Sequence, residues 1–465
     1  MSAAQDAISP AEIDEAIAHC RAALETLRGA RIFITGGTGF FGRWLLSLLA
    51  SAGAEFDIAA CLLTRNPEAF ARACPELAAS ANITLKRGDV RYFEFPKGRF
   101  THVVHAATDT SAAADADAAN LIDTIVGGTR RVLEFAAAAH VERLLYVSSG
   151  AVYGPQPTDM EQIGEDYSGA GNPLDPRAAY GQAKRLAEQM CVCAAQAARF
   201  APVIARAFAF VGPGLPRDGH FAIGNFVRDA LAGRDVVVNG DGAPLRSYLY
   251  ASDLAAWLVT LLAQGVAGAA YNVGSDVAIS IGELAQRVAA LAPAPTRVVI
   301  KGAASADGPR ARYIPAIARA RTLGLDVFTP LDEAIKRTFA AAQAARPAVA
   351  PTHRNEQASA GEPLTFVIDV DGVVASLVAD NDYAKAEPLT DTIASINRLH
   401  EQGHRIVMLT ARGSATGLDW RGVTEAQFER WGLRYHELHF GKPAADYYID
   451  DRLMPISALQ AMTKR

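Results

Sequence analysis

Ile32-Phe33-Ile34-Thr35-Gly36-Gly37-Thr38-Gly39-Phe40-Phe41-Gly42 carries an apolar, β-branched run into a glycine-spaced turn, and an apolar helix follows through Leu49. The order strand, turn, helix gives the glycines a mechanism. Gly36 and Gly39 let the backbone approach a pyrophosphate without a Cβ. Gly42 lets the helix pack on the strand, and the helix N-terminus faces the phosphates. Phe40 and Phe41 open that helix and count with the three glycines as cofactor-lining residues. The stretch predicts a dinucleotide site on a doubly wound α/β fold.

Outward from the turn, a helix is expected over residues 12–28, before the first strand. After it, buried strands at Ile32–Thr35, Ile58–Thr64, Ile83–Gly88, His102–His105 and Leu144–Ser148 alternate with Ala-rich helical segments such as Asn120–Ala139. Alternation of this kind implies a parallel sheet with helices on both faces. After about residue 200 turns become frequent, as in a small substrate-holding region. Residues 341–363, rich in alanine, proline and small polar residues, read as a flexible linker. A new strand at Leu364–Asp369 then opens a second α/β unit. The expected domains are 1–340, the linker 341–363, and 364–465.

Bulk properties narrow the class. At 465 residues the chain is too long for one core. A net charge of −5 and a pI near 6.1 give no basic footprint for nucleic acid. No apolar run reaches the roughly 18 residues of a membrane span. Met1 to Pro10 lacks a signal-peptide pattern. Five scattered cysteines fit a reducing cytoplasm, and Cys191 and Cys193 read as helix packing.

Tyr180-Gly181-Gln182-Ala183-Lys184 places a phenol and an ammonium one helical turn apart. A nearby ammonium lowers a phenol's pKa, so Tyr180 can take a proton from a sugar hydroxyl as hydride leaves the same carbon. Ser149, ending the strand of Val147-Ser148-Ser149, would hydrogen-bond the reacting oxygen.

These residues resemble the extended short-chain dehydrogenase/reductase family of nucleotide-sugar epimerases, dehydratases and reductases, over residues of about 30–340. The resemblance implies that Asp89 and Val90 hold the adenine and that Ala106 and Ala107 line the cofactor. It implies that Ser148 and Arg246 bind a nucleotide-sugar substrate, with Arg246 on the diphosphate, and that the chain forms a homodimer through helices near 120–139 and 180–198. Three departures narrow the activity. Gly150-Ala151 stands where 4,6-dehydratases carry Asp-Glu, which disfavours water elimination. Ala209 replaces a substrate-contacting Asn, and Ile125 replaces the Asn of the usual proton relay. Arg65, at the end of the second strand, suits a 2′-phosphate, so NAD(P) with a lean to NADP(H) is expected. Reductase and epimerase remain open.

Phe366-Val367-Ile368-Asp369-Val370-Asp371-Gly372 is a strand ending in two aspartates. Both act at one point only if the chain turns after Asp369. Thr410, Gly441-Lys442-Pro443 and Asp450-Asp451 follow at later strand ends. The set resembles the haloacid-dehalogenase superfamily, in particular its small capsule-biosynthesis phosphatases. The resemblance implies Asp369 as nucleophile, Asp371 as acid/base, and Thr410 and Lys442 on the phosphoryl oxygens of a sugar phosphate or other monoester. It implies Mg²⁺ on Asp369, Asp450 and Asp451, with Asp371 counted among the ligands. The motifs lie too close together for a cap domain. The expectation is a bifunctional sugar-pathway enzyme; the alternatives are a C-terminal scaffold module or an N-terminal nucleotide-binding regulator.

Overall fold

The computed structural model describes residues 6–108, 117–217, 221–302, 311–345, 364–376, 378, 382–410, 412 and 419–440. The chain divides into two compact units, one running to Pro347 and the other from Ala348.

The first unit is built on seven parallel strands: β1 (Arg31–Thr35), β2 (Ala59–Thr64), β3 (Ile83–Arg87), β4 (His102–His105), β5 (Arg143–Ser149), β6 (Ala201–Ala207) and β7 (Ala270–Val273). Their order is β7-β6-β5-β4-β1-β2-β3. The order reverses between β1 and β4, which makes their carboxyl ends the crevice where ligands bind in such sheets. Side chains alternate across the strands, so Ile32 and Ile34 enter one core while Phe33 enters the other. The first core is closed by α1 (Pro10–Thr26), α2 (Phe40–Phe56) and α5 (Ala251–Gln264), the second by α3 (Ala118–Ala138) and α4 (Ala179–Ala198). Helix α5 is apolar on nearly every side and buried along most of its length, with α1 and α2 packed against it.

The five expected strands are present within a residue or so of their expected ends. Sequence patterning missed β6 and β7. β6 reads Ala-Pro-Val-Ile-Ala-Arg-Ala, and alanine and proline are poor strand formers, so burial between β5 and β7 decides its conformation. Beyond β6 lie short strands and the helix Ala222–Leu231, around a third core that includes Phe226, Val236 and Leu284.

Helix α6 (Leu331–Ala345) corrects the expected start of the linker, since it continues through 341–345. Alanine is the strongest helix former, so Ala-rich sequence without apolar periodicity extends a helix readily. The rest of the expected linker lies outside the described residues. Cys191 is buried as expected, but Cys193 faces solvent, and all five cysteines are free thiols. Among the described residues no helix is long and apolar enough to cross a membrane.

The second unit has a parallel sheet of β8 (Thr365–Asp369), β9 (Arg405–Thr410) and β10 (Glu437–Phe440), in that order. Helices α7 (Thr390–Glu401) and α8 (Arg421–Trp431) join it around Ile368, Val370, Ile396, Met408 and Phe428.

Candidate active site

The glycine turn is dictated by close approach. Gly36 has φ +77°, and a Cβ there would lie 2.4 Å from the Ala106 carbonyl. Thus Ala106 and Ala107, just after β4, abut the turn. A Cβ at Gly42 would lie 2.1 Å from Gly37 Cα, so α2 rests on the turn itself. Gly39 caps α2 without a side chain, and a Cβ there would meet nothing nearer than 3.6 Å. The first backbone N–H groups of α2 are therefore unobstructed on that side, a cradle that fits a pyrophosphate. Phe40 and Phe41 pack against the first core, with Phe41 edge-on to Phe210 at 4.7 Å.

A buried donor chain ties the turn to the sheet. Ala107 N–H donates to Thr35 Oγ1 (3.3 Å), which pairs with His105 Nδ1 (2.7 Å). His105 Nε2 pairs with Thr129 Oγ1 (3.0 Å), which donates to Ile125 O (2.6 Å). Each hydroxyl has one proton, so the chain has one consistent direction, with His105 neutral and protonated at Nε2. Burial pushes His105 down to about 3, in keeping with that state. Ile125, where the relay Asn was expected, contributes only its carbonyl.

Just after β3, Asp89 accepts from Arg91 through the backbone N–H (3.0 Å), Nε (2.9 Å) and Nη2 (3.1 Å). Those bonds hold its carboxyl below the usual range. Arg91, not anticipated from sequence, also reaches Asn120 and Asp123 at the start of α3. Val90 packs beneath Gly128, where a Cβ would come within 2.9 Å. Arg65 is exposed immediately after β2.

Tyr180 lies in the first turn of α4, and Lys184 Nζ stands 5.9 Å from its ring centroid. The ammonium donates to Val147 O (2.9 Å) and sits 4.9 Å from the Tyr146 ring. Burial pulls Lys184 down to about 7, with Glu188 opposing that shift. Ser149 Oγ accepts from Ala151 N–H (3.1 Å), and the buried Tyr313 hydroxyl lies against Gly150 beside it. Tyr313 is the principal residue that sequence reasoning missed. A Cβ at Gly150 would lie 2.6 Å from its Oη and 2.8 Å from the Phe208 ring. The space that a dehydratase acid would need is thus filled.

Ser148 departs from expectation. It is buried, and its Oγ donates to Glu188 Oε1 (2.5 Å), away from Ser149. Neighbouring strand residues face opposite ways, a signal already present in the sequence. Arg206 grips Glu188 from β6, with Nη2 to Oε2 at 2.7 Å. A cavity of about 370 Å³ opens beyond this pair, lined also by Glu165, Asp166 and Arg185. Arg246 lies on the short strand Leu245–Arg246, between Ile279 and Tyr313.

In the second unit Asp369 ends β8 beside Leu409, so Thr410 at the end of β9 is its near neighbour. The chain turns at Gly372 (φ +81°), and Asp371 pairs with Ala375. Both Asp371 oxygens are taken by the buried guanidinium of Arg412, at 2.7–3.1 Å. Arg412 is fixed in turn by Thr424 and Gln427 of α8 (3.1 and 2.6 Å). This ion pair fixes the Asp371 side chain in place. Lys442, Asp450 and Asp451 lie outside the described residues. Among those described, no three His, Cys, Asp or Glu side chains group to hold a metal.

Comparison with known proteins bears on the first unit. Residues 32–274 match the model of the NAD dependent epimerase/dehydratase family. The chain is 30% identical over 316 residues to UDP-glucuronic acid decarboxylase 1 of Danio rerio, covering 66% of this chain and 72% of that protein. It is 28% identical over 257 residues to a dTDP-glucose 4,6-dehydratase of Actinoplanes, covering 52% and 76%. The fold matches UDP-glucuronic acid 4-epimerase from Bacillus cereus at a TM-score of 0.58, with 20% identity over 68% of this chain and 99% of that one. With more than half its length matched and a glycine turn, Tyr180 and Lys184 on the expected elements, the chain belongs to the NAD-dependent epimerase/dehydratase family.

Proposed function

We propose that the first unit oxidises and re-reduces, or reduces, a carbon of a nucleotide-linked hexose, as a 4-epimerase or 4-keto reductase. The observation that carries this reading is Tyr180 beside the buried Lys184, with Ser149 at the end of β5. NAD(P), when bound, supplies the hydride acceptor or donor. Tyr180 Oη takes or returns the hydroxyl proton, Lys184 stabilises the phenolate, and Ser149 Oγ orients the sugar oxygen. Arg246 holds the diphosphate. Arg65, exposed at the end of β2, supports NADP(H) over NAD(H). The packing of Tyr313 and Phe208 against Gly150 argues against dehydration. The decarboxylase relative favours a second reading. Oxidation at C4 of a hexuronate gives a β-keto acid, which loses CO₂ without a further acid.

One experiment separates these. The full chain is incubated with UDP-glucose or UDP-glucuronic acid and each nicotinamide cofactor, and the products are identified. Tyr180→Phe is expected to lower turnover at least about 100-fold, within the range for a lost general acid/base, while NAD⁺ still binds. An unchanged rate removes Tyr180 from the chemistry.

For the second unit we propose phosphate monoester hydrolysis, in the service of capsule or other surface polysaccharide synthesis. Asp369 and Thr410 at neighbouring strand ends, with Arg412 bonded both to Thr410 and to Asp371, support it. Asp369 attacks phosphorus as Asp371 protonates the departing alcohol; Asp371 then deprotonates the water that cleaves the aspartyl phosphate. Mg²⁺, held by Asp369 with Asp450 and Asp451, offsets the phosphate charge when bound. Asp369→Asn is expected to abolish Mg²⁺-dependent release of phosphate from p-nitrophenyl phosphate. Equal release by wild type and variant would leave the unit as a scaffold.

The packed pair α3 and α4 exposes Ile122 and Leu186, which supports homodimerisation through these helices, measurable by sedimentation. Five free thiols support a cytoplasmic location.

A further inference from the structure

The buried carboxylate of Glu188 has no part in the steps above, yet it is bonded to Ser148 at the end of β5 and to Arg206 of β6. Three consecutive residues at the end of β5 are each tied down. Val147 O accepts from Lys184 Nζ (2.9 Å), Ser148 Oγ donates to Glu188 (2.5 Å), and Ser149 Oγ accepts from Ala151 N–H (3.1 Å). Lys184 and Glu188 are one turn apart on α4 and share a face. Arg206 fixes the carboxylate from β6 with Nε at 3.0 and 3.2 Å and Nη2 at 2.7 Å, and the pair is mostly buried at the wall of the cavity.

The groups influencing Lys184 can be enumerated. They are Glu188, Cys191 and Tyr180 on α4, Tyr146 on β5 and His105 on β4, with Arg206 of β6 behind Glu188. Burial keeps the Cys191 thiol and Tyr146 phenol protonated and His105 neutral. Glu188 is the carboxyl group among them, and the structure pairs it with the Arg206 guanidinium. A buried ammonium without a counter-charge is costly to maintain.

We propose that Glu188 is a positioning residue of the hydride-transfer site, anchoring the end of β5 through Ser148 and supplying the counter-charge to Lys184. Its relevance to turnover rests on the reading of Tyr180 and Lys184 given above. The test itself does not, because it uses neither substrate nor cofactor. Full-length protein labelled with [¹³Cε]lysine is titrated by NMR, and Lys184→Arg assigns the Lys184 signal. The wild-type midpoint is expected near 7. In Glu188→Gln it should fall by about one pH unit or more, as expected for loss of an adjacent charge. If that variant does not fold, the double variant Glu188→Met/Arg206→Met replaces the whole buried pair with apolar groups, a change proteins often tolerate. The same fall is expected. A folded single or double variant with the wild-type midpoint overturns the inference. An active Tyr180→Phe would overturn the functional reading instead.

Discussion

His105 shows how much a single side chain can be asked to do. It joins β1, β4 and α3 through Thr35 and Thr129, and burial keeps it neutral there. His102, also buried, is pulled down to about 4 and His105 to about 3. The unfolded chain binds these protons near the ordinary histidine value, whereas the folded chain does not. Stability is thus fully present above about pH 6.5 and is lost as pH falls toward those lower values. The slope is about 1.4 kcal/mol per pH unit for each histidine. Urea midpoints between pH 7 and about 5 should fall on this account, and His102→Gln should roughly halve the slope. At this scale Tyr180, Lys184 and Ser149 were legible, because their spacing is local to one helix and one strand end. Tyr313 and Arg91 were not, since each is brought to its partners by strand order or chain reversal and carries no local pattern.

Among elements, the glycine turn was readable because its residues answer to a backbone requirement that no other residue type meets. Gly42→Ala is expected to force α2 away from Gly37, overpacking by about 1–3 kcal/mol and weakening NAD⁺ binding at least about tenfold by calorimetry. The five expected strands were visible as near-continuous apolar runs, as strands covered on both faces should be. β6 and β7 were hidden because their composition does not favour strands and their neighbours impose the conformation. The overlong linker had the opposite cause: α6 keeps winding through alanines that show no amphipathic pattern.

On the scale of the whole molecule, the chain is two α/β units, each presenting candidate chemistry at the carboxyl edge of its own parallel sheet. The activities should therefore be separable. Asp369→Asn is expected to leave nicotinamide-dependent turnover within about twofold of wild type, and Tyr180→Phe to leave phosphate release unchanged, both read by parallel assays; surface-level effects below 0.5 kcal/mol set that tolerance. The linker was expected at 341–363 from its composition, and a second unit from the aspartate-tipped strand that follows; the chain divides after Pro347. The final strand of the phosphatase resemblance, with Asp450 and Asp451, lies beyond the described residues. One contact described above also bears on how such an enzyme could change over generations. Tyr313 Oη and the Phe208 ring occupy the volume that any side chain at position 150 would need. An acid at 150 would need both Tyr313 and Phe208 to give way, so no single substitution there can install it without a clash. A neighbouring chemistry is in that sense fenced off by packing, several coordinated changes away.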